Sequence, residues 1–499
     1  MRLLLIAVAW FVLACGTEDD SSSGGGAGTA SGGTAGSAGV SGSGGTAGSG
    51  AAAGAAGTGG SGASGPVDPP VVCTDQCLYV RPGATGSGSG SDWDDAFPTL
   101  PDSLVRGKVY LLADGDYGSA SFDDATSGSQ TIALRKATAA SHGTNTGWDP
   151  NYGDGVALFS SVTFSESGYE LNGSEGGGFG AWTSGHGIEI TRTGTQCGDN
   201  GALIGLGAGV SDIIVKHVHA HAGNNDYPMN GVKGTAGASK LTFAYNSIHT
   251  IFGPTFHIGD WQDVVIEHNH LADVRSTGGG DPFCPDWHAE GISSIGANQN
   301  LTIRYNLWDQ IQGTAVFAGV NSGSSKAWKI YGNVFSRSTT TLYYYNDPGT
   351  SNLQSMDDLE FHNNVITQMP GSSVGVLSIA KGTNNVAYDN IWFDNVANTF
   401  SFSSNITHDF NYFADNRRVE GCSPVCDKND EAAAGEGNAQ IGSGSPFVNA
   451  GAAPEDANFH LQAGTNPGKS LPAPFDLDPS GAKRGADGSW DRGVFEWTP

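Results

Sequence analysis

Basic residues are scarce in this chain. Its 499 residues include 23 Lys and Arg against 50 Asp and Glu, which gives a formal net charge of −27. A protein of this charge repels a phosphate backbone, so nucleic acid is excluded as a partner. An acidic polysaccharide would also be repelled unless a bound cation or a local basic patch intervenes.

Aromatic residues are missing from one long segment. Between Thr17 and Pro66 the chain is almost wholly Gly, Ser, Ala and Thr. Such a segment cannot bury enough apolar surface to offset its conformational entropy, so residues 15–66 are predicted to be a flexible linker. Residues 67–499 then form the folded domain, whose length suits a solenoid better than a single globular core.

Long hydrophobic runs are absent except for a short one at the start. Arg2 is followed by apolar residues from Leu3 to Ala14 and then by Cys15. This run is too short to span a bilayer and has the form of a signal peptide, residues 1–14. The sequence VLAC before Gly16 resembles the lipobox of bacterial lipoproteins. The resemblance implies an exported protein that is anchored to the outer membrane or cell surface by lipid on Cys15; the alternative is an ordinary secretory signal.

The remaining six cysteines can pair completely. Two CxxxC units lie in turn-rich sequence and could close small local loops, which leaves two cysteines for a longer link. The CxxC spacing of common zinc sites is absent. The favoured pairs, with other connectivities left open, are Cys73–Cys77, Cys197–Cys284 and Cys422–Cys426.

One short pattern recurs between Lys240 and Trp392. Its copies read KLTFAYNSI, DVVIEHNHL, NLTIRYNLW, AWKIYGNVF, DLEFHNNVI and NNVAYDNIW. Apolar residues lie three positions before an asparagine and two positions after it in every copy, and five positions before it in the first five, which is the period-two alternation of strands. The repeated asparagines are Asn246, Asn269, Asn306, Asn333, Asn364 and Asn390.

A repeat of this length predicts one small unit per coil, stacked on the next. The units lack helical spacing, and glycine is abundant between them, so we expect an all-β, right-handed parallel β-helix, a single-stranded solenoid. The asparagines should then stack as a hydrogen-bonded amide ladder at one turn. This role is structural, and no catalysis is assigned to it.

The two ends of the domain carry further signals. The segments YVRPGATGSGSGSDWDDAF from Tyr79 and GKVYLLADGDY from Gly107, and DRGVFEW from Asp491, resemble the entry and closing segments of exported right-handed β-helix proteins of the pectate lyase-like superfamily. That superfamily includes pectate, alginate and chondroitin lyases and polygalacturonases. The resemblance implies a polysaccharide partner, but no catalytic pattern of one member is matched residue by residue.

The longest interval between ladder asparagines, from Asn269 to Asn306, contains the largest excursion from a coil. Loops held on a rigid scaffold are common places for binding sites. Carboxylates here could hold Ca²⁺, the candidate cofactor, and so acidify the sugar proton that a lyase removes. The predicted metal ligands are Asp281, Asp286 and Glu290. A carboxylate pair for glycoside hydrolysis is an alternative, and so is a solvated loop without function.

Predicted strands of neighbouring coils align on small residues and place further groups near Glu290. Lys233 and His257 should lie within a coil or two of it, which makes them candidate catalytic residues together with Glu290 and His288. A lysine in such a cleft is a plausible elimination base. The alternative is that Lys233 is a solvated surface lysine without a catalytic role.

Aromatic residues that could stack on sugar rings are Trp261, Trp287, Tyr343 and Tyr345, although alternation would bury some of the tyrosines. Eight of the 13 histidines lie between His217 and His288. No HxxxH pair falls on a predicted helix, so a dedicated transition-metal site is not favoured.

The sequence therefore favours a surface-anchored, monomeric polysaccharide lyase that acts on an acidic polysaccharide by β-elimination. The lipid anchor is its expected contact with a membrane. Two alternatives stay open: a non-catalytic glycan-binding or adhesive β-helix protein, and a glycoside hydrolase with a carboxylate pair.

Overall fold

The structure is a computed structural model, and it describes residues 66–73, 76–192, 201–223, 230–275, 289–320, 323–338, 340–344, 355–372, 377–397, 402–418, 426–452 and 456–498. The predicted signal peptide, the lipidation site Cys15 and nearly all of the linker lie outside these residues. Within these ranges, no helix is long and apolar enough to cross a bilayer.

Nearly every regular element is a short strand. The first strands are β1 (Cys77–Val80), β2 (Val109–Leu112), β3 (Gly115–Phe122), β4 (Ile132–Lys136), β5 (Ala157–Phe164), β6 (Tyr169–Asn172), β7 (Ile188–Arg192), β8 (Ala202–Leu206), β9 (Val210–Lys216) and β10 (Val218–Ala222). The central strands are β11 (Asn230–Gly234), β12 (Ala238–Ala244), β13 (Ser247–Phe252), β14 (Phe256–Gly259), β15 (Trp261–Glu267), β16 (His270–Arg275), β17 (Ile292–Ile295), β18 (Gln299–Arg304), β19 (Leu307–Ile311) and β20 (Thr314–Val320).

The later coils have shorter strands. They are β21 (Ser325–Lys326), β22 (Lys329–Tyr331), β23 (Val334–Ser336), β24 (Thr340–Tyr344), β25 (Met356–Asp357), β26 (Glu360–His362), β27 (Val365–Thr367), β28 (Pro370–Ser372), β29 (Leu377–Ile379), β30 (Asn385–Tyr388), β31 (Ile391–Phe393), β32 (Val396–Ala397), β33 (Ile406–Asp409), β34 (Tyr412–Ala414), β35 (Arg417–Arg418), β36 (Cys426–Asp427), β37 (Gln440–Gly442), β38 (Phe447–Asn449) and β39 (Asn458–Leu461). The helices are a 3₁₀ turn (Pro150–Tyr152) and α1 (Asn429–Ala432).

The strands stack as three parallel walls. The first wall runs β1-β2-β4-β6-β9-β12-β15-β18-β22-β26-β30-β33. The second wall runs β7-β10-β13-β16-β19-β23-β27-β31-β34-β37, and the third runs β8-β11-β14-β17-β20-β24-β29. Strand β5 joins the last two walls, because its first residues pair with β7 and its last with β8. The fold is the predicted right-handed parallel β-helix.

The predicted alternation determines which side chains form the core. On β12, Leu241 and Phe243 are buried, and they align with Val264 and Ile266 of the next coil. The residues between them face outward, since successive side chains of a strand point to opposite faces. Each fully buried Leu, Ile or Phe contributes about 1.5–3 kcal/mol, so these inward columns stabilise the whole solenoid.

The predicted amide ladder is present at the turn between the first and second walls. The side-chain Nδ2 of each asparagine donates to Oδ1 of the next at 2.9–3.0 Å. The ladder extends one coil beyond the prediction to Asn411, whose amide donates to Glu436 at 2.7 Å. A second, unpredicted ladder joins Asn395, Asn416 and Asn429.

The first predicted disulfide is confirmed, since Cys73 and Cys77 are bonded. Cys197, Cys284 and Cys422 lie outside the described residues, as does the side chain of Cys426, so the other two pairs stay predictions.

The C-terminal segment packs along the outside of the ladder turn. The Tyr305 hydroxyl donates to the Leu477 carbonyl at 3.1 Å, and the buried Arg492 guanidinium donates to the Asn411 carbonyl at 2.9 Å. This segment therefore covers a surface that the stacked coils would otherwise leave exposed.

Candidate functional site

A column of polar and aromatic residues runs along the third wall. The paired strands place its members side by side on consecutive coils, about 4.8 Å apart. The members of this outer column are Gly205, Lys233, His257, Ser293, Phe317 and Tyr343. The predicted alignment of these strands is thus confirmed, and Lys233 pairs directly with His257.

The outer column faces away from the core. Val232 and Ile258, the immediate neighbours of Lys233 and His257 along their strands, are fully buried and point inward. Lys233, His257 and Phe317 are half-buried. One cationic side chain, one imidazole and one aromatic ring therefore occupy the same outer face, which is the kind of surface that an acidic, ring-shaped ligand requires.

Glu290 lies at the entry to this wall. It precedes β17, and its carbonyl accepts a hydrogen bond from the Thr255 amide at 3.1 Å. Its side chain is 5% exposed. The next residue must be glycine, because a Cβ on Gly291 would meet the Ala315 carbonyl and lie 2.7 Å from the Trp308 ring. Close packing at Gly291 therefore determines where Glu290 enters the wall.

The aromatic predictions have different outcomes. Trp261 is wrong as a sugar-stacking residue, since it is fully buried and its indole N–H donates to the Gly234 carbonyl at 2.7 Å. Tyr343 is in the outer column by strand register, although its side chain lies outside what the structure describes. Phe317, which the sequence patterns did not single out, is the described aromatic ring of that column.

The predicted calcium site falls largely outside the described residues. Asp281, Asp286, Trp287 and His288 belong to 276–288, and Tyr345 belongs to 345–354. Calcium takes six to eight oxygen ligands, of which Glu290 is the one predicted ligand that the structure describes. Calcium therefore stays a prediction.

A second constellation lies on the outer face of the second wall. We call Glu189, His219, His221 and His249 the imidazole cluster. Glu189 of β7 pairs in register with His219 of β10, and His221 pairs with His249 of β13. Nε2 of His221 lies 3.1 Å from Oε1 of Glu189, and Nε2 of His219 lies 2.6 Å from Nε2 of His249.

Burial and mutual proximity keep two of these rings neutral. The pKa of His219 is lowered to about 4 by burial and by the neighbouring His249 and His221. The pKa of His249 is likewise lowered to about 4, chiefly by burial. Neutral imidazoles offer a free nitrogen lone pair at neutral pH.

The search for histidine pairs at helical spacing missed this cluster, because its histidines lie on strands. His219 and His221 are two residues apart on a strand, so they share one face, and the following coils add their own side chains beside them. An HxH pair within a β-helix coil is the pattern that would have found them.

Comparison with known proteins supports the architecture. The structure is similar to the crystal structure of pectate lyase Pel9A, with a TM-score of 0.52 over 86% of this chain and 98% of that one. The two sequences are 13% identical, so the likeness concerns the fold. No protein-family model and no curated protein sequence matches the chain.

Proposed function

We propose that this protein binds an acidic polysaccharide along the outer column and cleaves it by β-elimination. The observation that carries the proposal is the direct pairing of Lys233 with His257 on the outer face of the third wall. The shared fold with a pectate lyase supports a polysaccharide substrate by analogy.

In this proposal His257, the proton donor of the reaction, supplies the local positive charge that a strongly acidic protein needs to hold a uronate polymer. The Lys233 amine takes the proton from the carbon next to the carboxylate. The electron pair forms a carbon–carbon double bond, the glycosidic carbon–oxygen bond breaks, and the leaving oxygen takes a proton from His257. Phe317 stacks against a sugar ring.

Calcium, if held by Glu290 with Asp281 and Asp286, would neutralise the substrate carboxylate. Adding Ca²⁺ or a chelator to the cleavage assay tests this part separately. Cleavage that is indifferent to both would remove calcium from the proposal without affecting the role of Lys233.

The test is an assay of the full chain on a panel of uronate polymers, in which unsaturated ends are measured by ultraviolet absorbance. Lys233→Met should abolish their formation. Lys240→Met is the matched control, because Lys240 is an exposed lysine on the first wall, 65% exposed and paired with Asp212. Cleavage that persists in Lys233→Met contradicts the assignment.

The rival is a glycan-binding protein without catalysis. If polymer binds the wild-type chain but not Lys233→Met, and neither protein cleaves it, the rival is favoured. New reducing ends without a double bond would instead indicate a hydrolase.

We further propose that the protein acts at the cell surface as a monomer, anchored through Cys15. Cys15→Ser should release the protein from the membrane fraction. Retention of this variant in the membrane fraction would contradict the lipid anchor.

A further inference from the structure

We propose that Glu189, His219 and His221 bind a divalent transition-metal ion of the zinc class on the outer face of the second wall. One donor atom from each residue lies within 4.8 Å of the other two. The residues come from two paired strands, β7 and β10, so the backbone of the walls holds them together.

The hydrogen bonds of His221 fix the orientation of its ring toward Glu189. Its Nδ1 lies 2.8 Å from the Ala222 carbonyl oxygen, which can only accept, so Nδ1 carries a proton and donates it. Nε2 of His221 faces Oε1 of Glu189 at 3.1 Å, so a nitrogen donor and a carboxylate oxygen converge on one point.

The geometry suits a metal ion. A nitrogen and an oxygen bound to one tetrahedral zinc ion at about 2.0–2.1 Å are separated by about 3.3 Å, close to the observed 3.1 Å. Histidine ligands usually donate their other ring N–H to a carbonyl or carboxylate, as His221 does to Ala222.

His249 is a positioning residue in this proposal. Its Nε2 contacts Nε2 of His219 at 2.6 Å, and its Nδ1 contacts the Thr250 hydroxyl at 2.8 Å.

Two imidazoles and one carboxylate define the class of metal. Imidazole nitrogen favours zinc, copper, nickel and cobalt, whereas calcium and magnesium prefer oxygen alone. Three protein ligands leave a coordination position open to water or a ligand oxygen. The site lies on a different wall from the outer column, so the metal-binding proposal can be tested independently of the proposed lyase activity.

The test is calorimetric titration of the chelator-treated full chain with Zn²⁺, and separately with Ca²⁺. The wild-type chain should bind a single equivalent of Zn²⁺ and no Ca²⁺ at this site. Glu189→Gln, His219→Ala and His221→Ala should each weaken Zn²⁺ binding by at least about 100-fold, and His249→Ala by roughly 10-fold to 100-fold. His142→Ala is the matched control, since the His142 ring bonds Asn145 and stacks on Trp148, outside the imidazole cluster. The Zn²⁺ affinity of this variant should equal that of the wild type.

A second measurement does not depend on folded variants. Crystals of the wild-type protein soaked in Zn²⁺ should show an anomalous peak between Glu189 and His221, and Co²⁺ should give the visible absorption of a low-coordinate site. Absence of saturable Zn²⁺ binding overturns the proposal. So does an NMR spectrum in which the ring resonances of His219 and His221 stay unchanged as Zn²⁺ is added.

Discussion

At the residue scale, the amide ladder uses the full hydrogen-bonding capacity of a side chain that is buried without charge. Asn306 donates from Nδ2 to the Ile266 carbonyl and to Oδ1 of Asn333, and its own Oδ1 accepts from the backbone and side chain of Asn269. Each coil is therefore tied to the coils on both sides by one residue.

Asn306→Ala should destabilise the protein by about 3–5 kcal/mol, because several buried partners lose their hydrogen bonds at once. Urea unfolding followed by circular dichroism measures the loss. Asn438→Ala is the control, since Asn438 is exposed and its side chain bonds the Asp409 carboxylate. A variant of Asn306 as stable as this control would contradict a stabilising role for the ladder.

At the element scale, close approach between coils positions the strands of the third wall. Gly291 precedes β17, and its neighbours are the Trp308 ring and the Ala315 carbonyl of the next coil. A larger residue would push β17 away from β20 and move Ser293 out of the outer column.

Gly291→Ala should therefore cost about 1–3 kcal/mol or more through overpacking. It should also reduce any polysaccharide binding by the outer column. Thermal unfolding and polymer binding together check this expectation. Gly437→Ala, at a glycine with nothing within 4 Å of an added Cβ, should change neither measurement.

At the scale of the whole molecule, the C-terminal segment ties the last coils together. Buried Arg492 donates to the carbonyls of Asn411, Asn438 and Pro467 at 2.9–3.2 Å. These acceptors belong to parts of the chain that are distant in sequence.

Arg492→Met should cost about 2–4 kcal/mol, since buried carbonyls lose charged donors. Arg417→Met removes an exposed arginine paired with Asp394 and should cost less than about 1 kcal/mol. Comparison of their unfolding midpoints is the measurement. Equal midpoints would mean that the C-terminal segment adds little to stability.

Stability of the whole molecule should also fall in acid. Burial lowers the pKa of His186, His268, His270 and His362 from 6.5 to about 3. Below about pH 6.5 these histidines are protonated in the unfolded chain but stay neutral in the native chain. Each histidine therefore lowers the free energy of unfolding by up to about 1.4 kcal/mol per pH unit, until the pH reaches its native pKa.

Three carboxyls, Asp389, Glu360 and Glu496, act in the opposite direction, because burial raises the pKa of each. Burial raises the pKa of Asp389 to about 7, so the contribution of Asp389 to the free energy of unfolding increases as the pH falls from about 7 to 4. The four histidines lower the free energy of unfolding by more than the carboxyls raise it. The urea midpoint should therefore drop between about pH 6.5 and 4. His362→Phe, which preserves stacking on Tyr388 and Phe475, should make that drop smaller. An unchanged slope would contradict a neutral His362.

The architecture was predictable because its causes are local. Period-two alternation identifies a strand, and a repeated asparagine marks the same turn in each coil. The ladder from Asn246 to Asn390 and the burial of Leu241 and Phe243 follow from those patterns alone. Asn411 was missed because its coil, NITHDFNYF, departs from the apolar pattern of the others.

Only the tertiary structure decided which side chains of different coils are neighbours. That depends on loop lengths between coils, and the sequence contains no simple measure of the resulting register. The tertiary structure places Trp261 in the core and brings Glu189 beside His219 and His221. The sequence by itself therefore determined a solenoid of stacked coils, whereas the functional groups on its surface were assembled by contacts between coils that are remote along the chain.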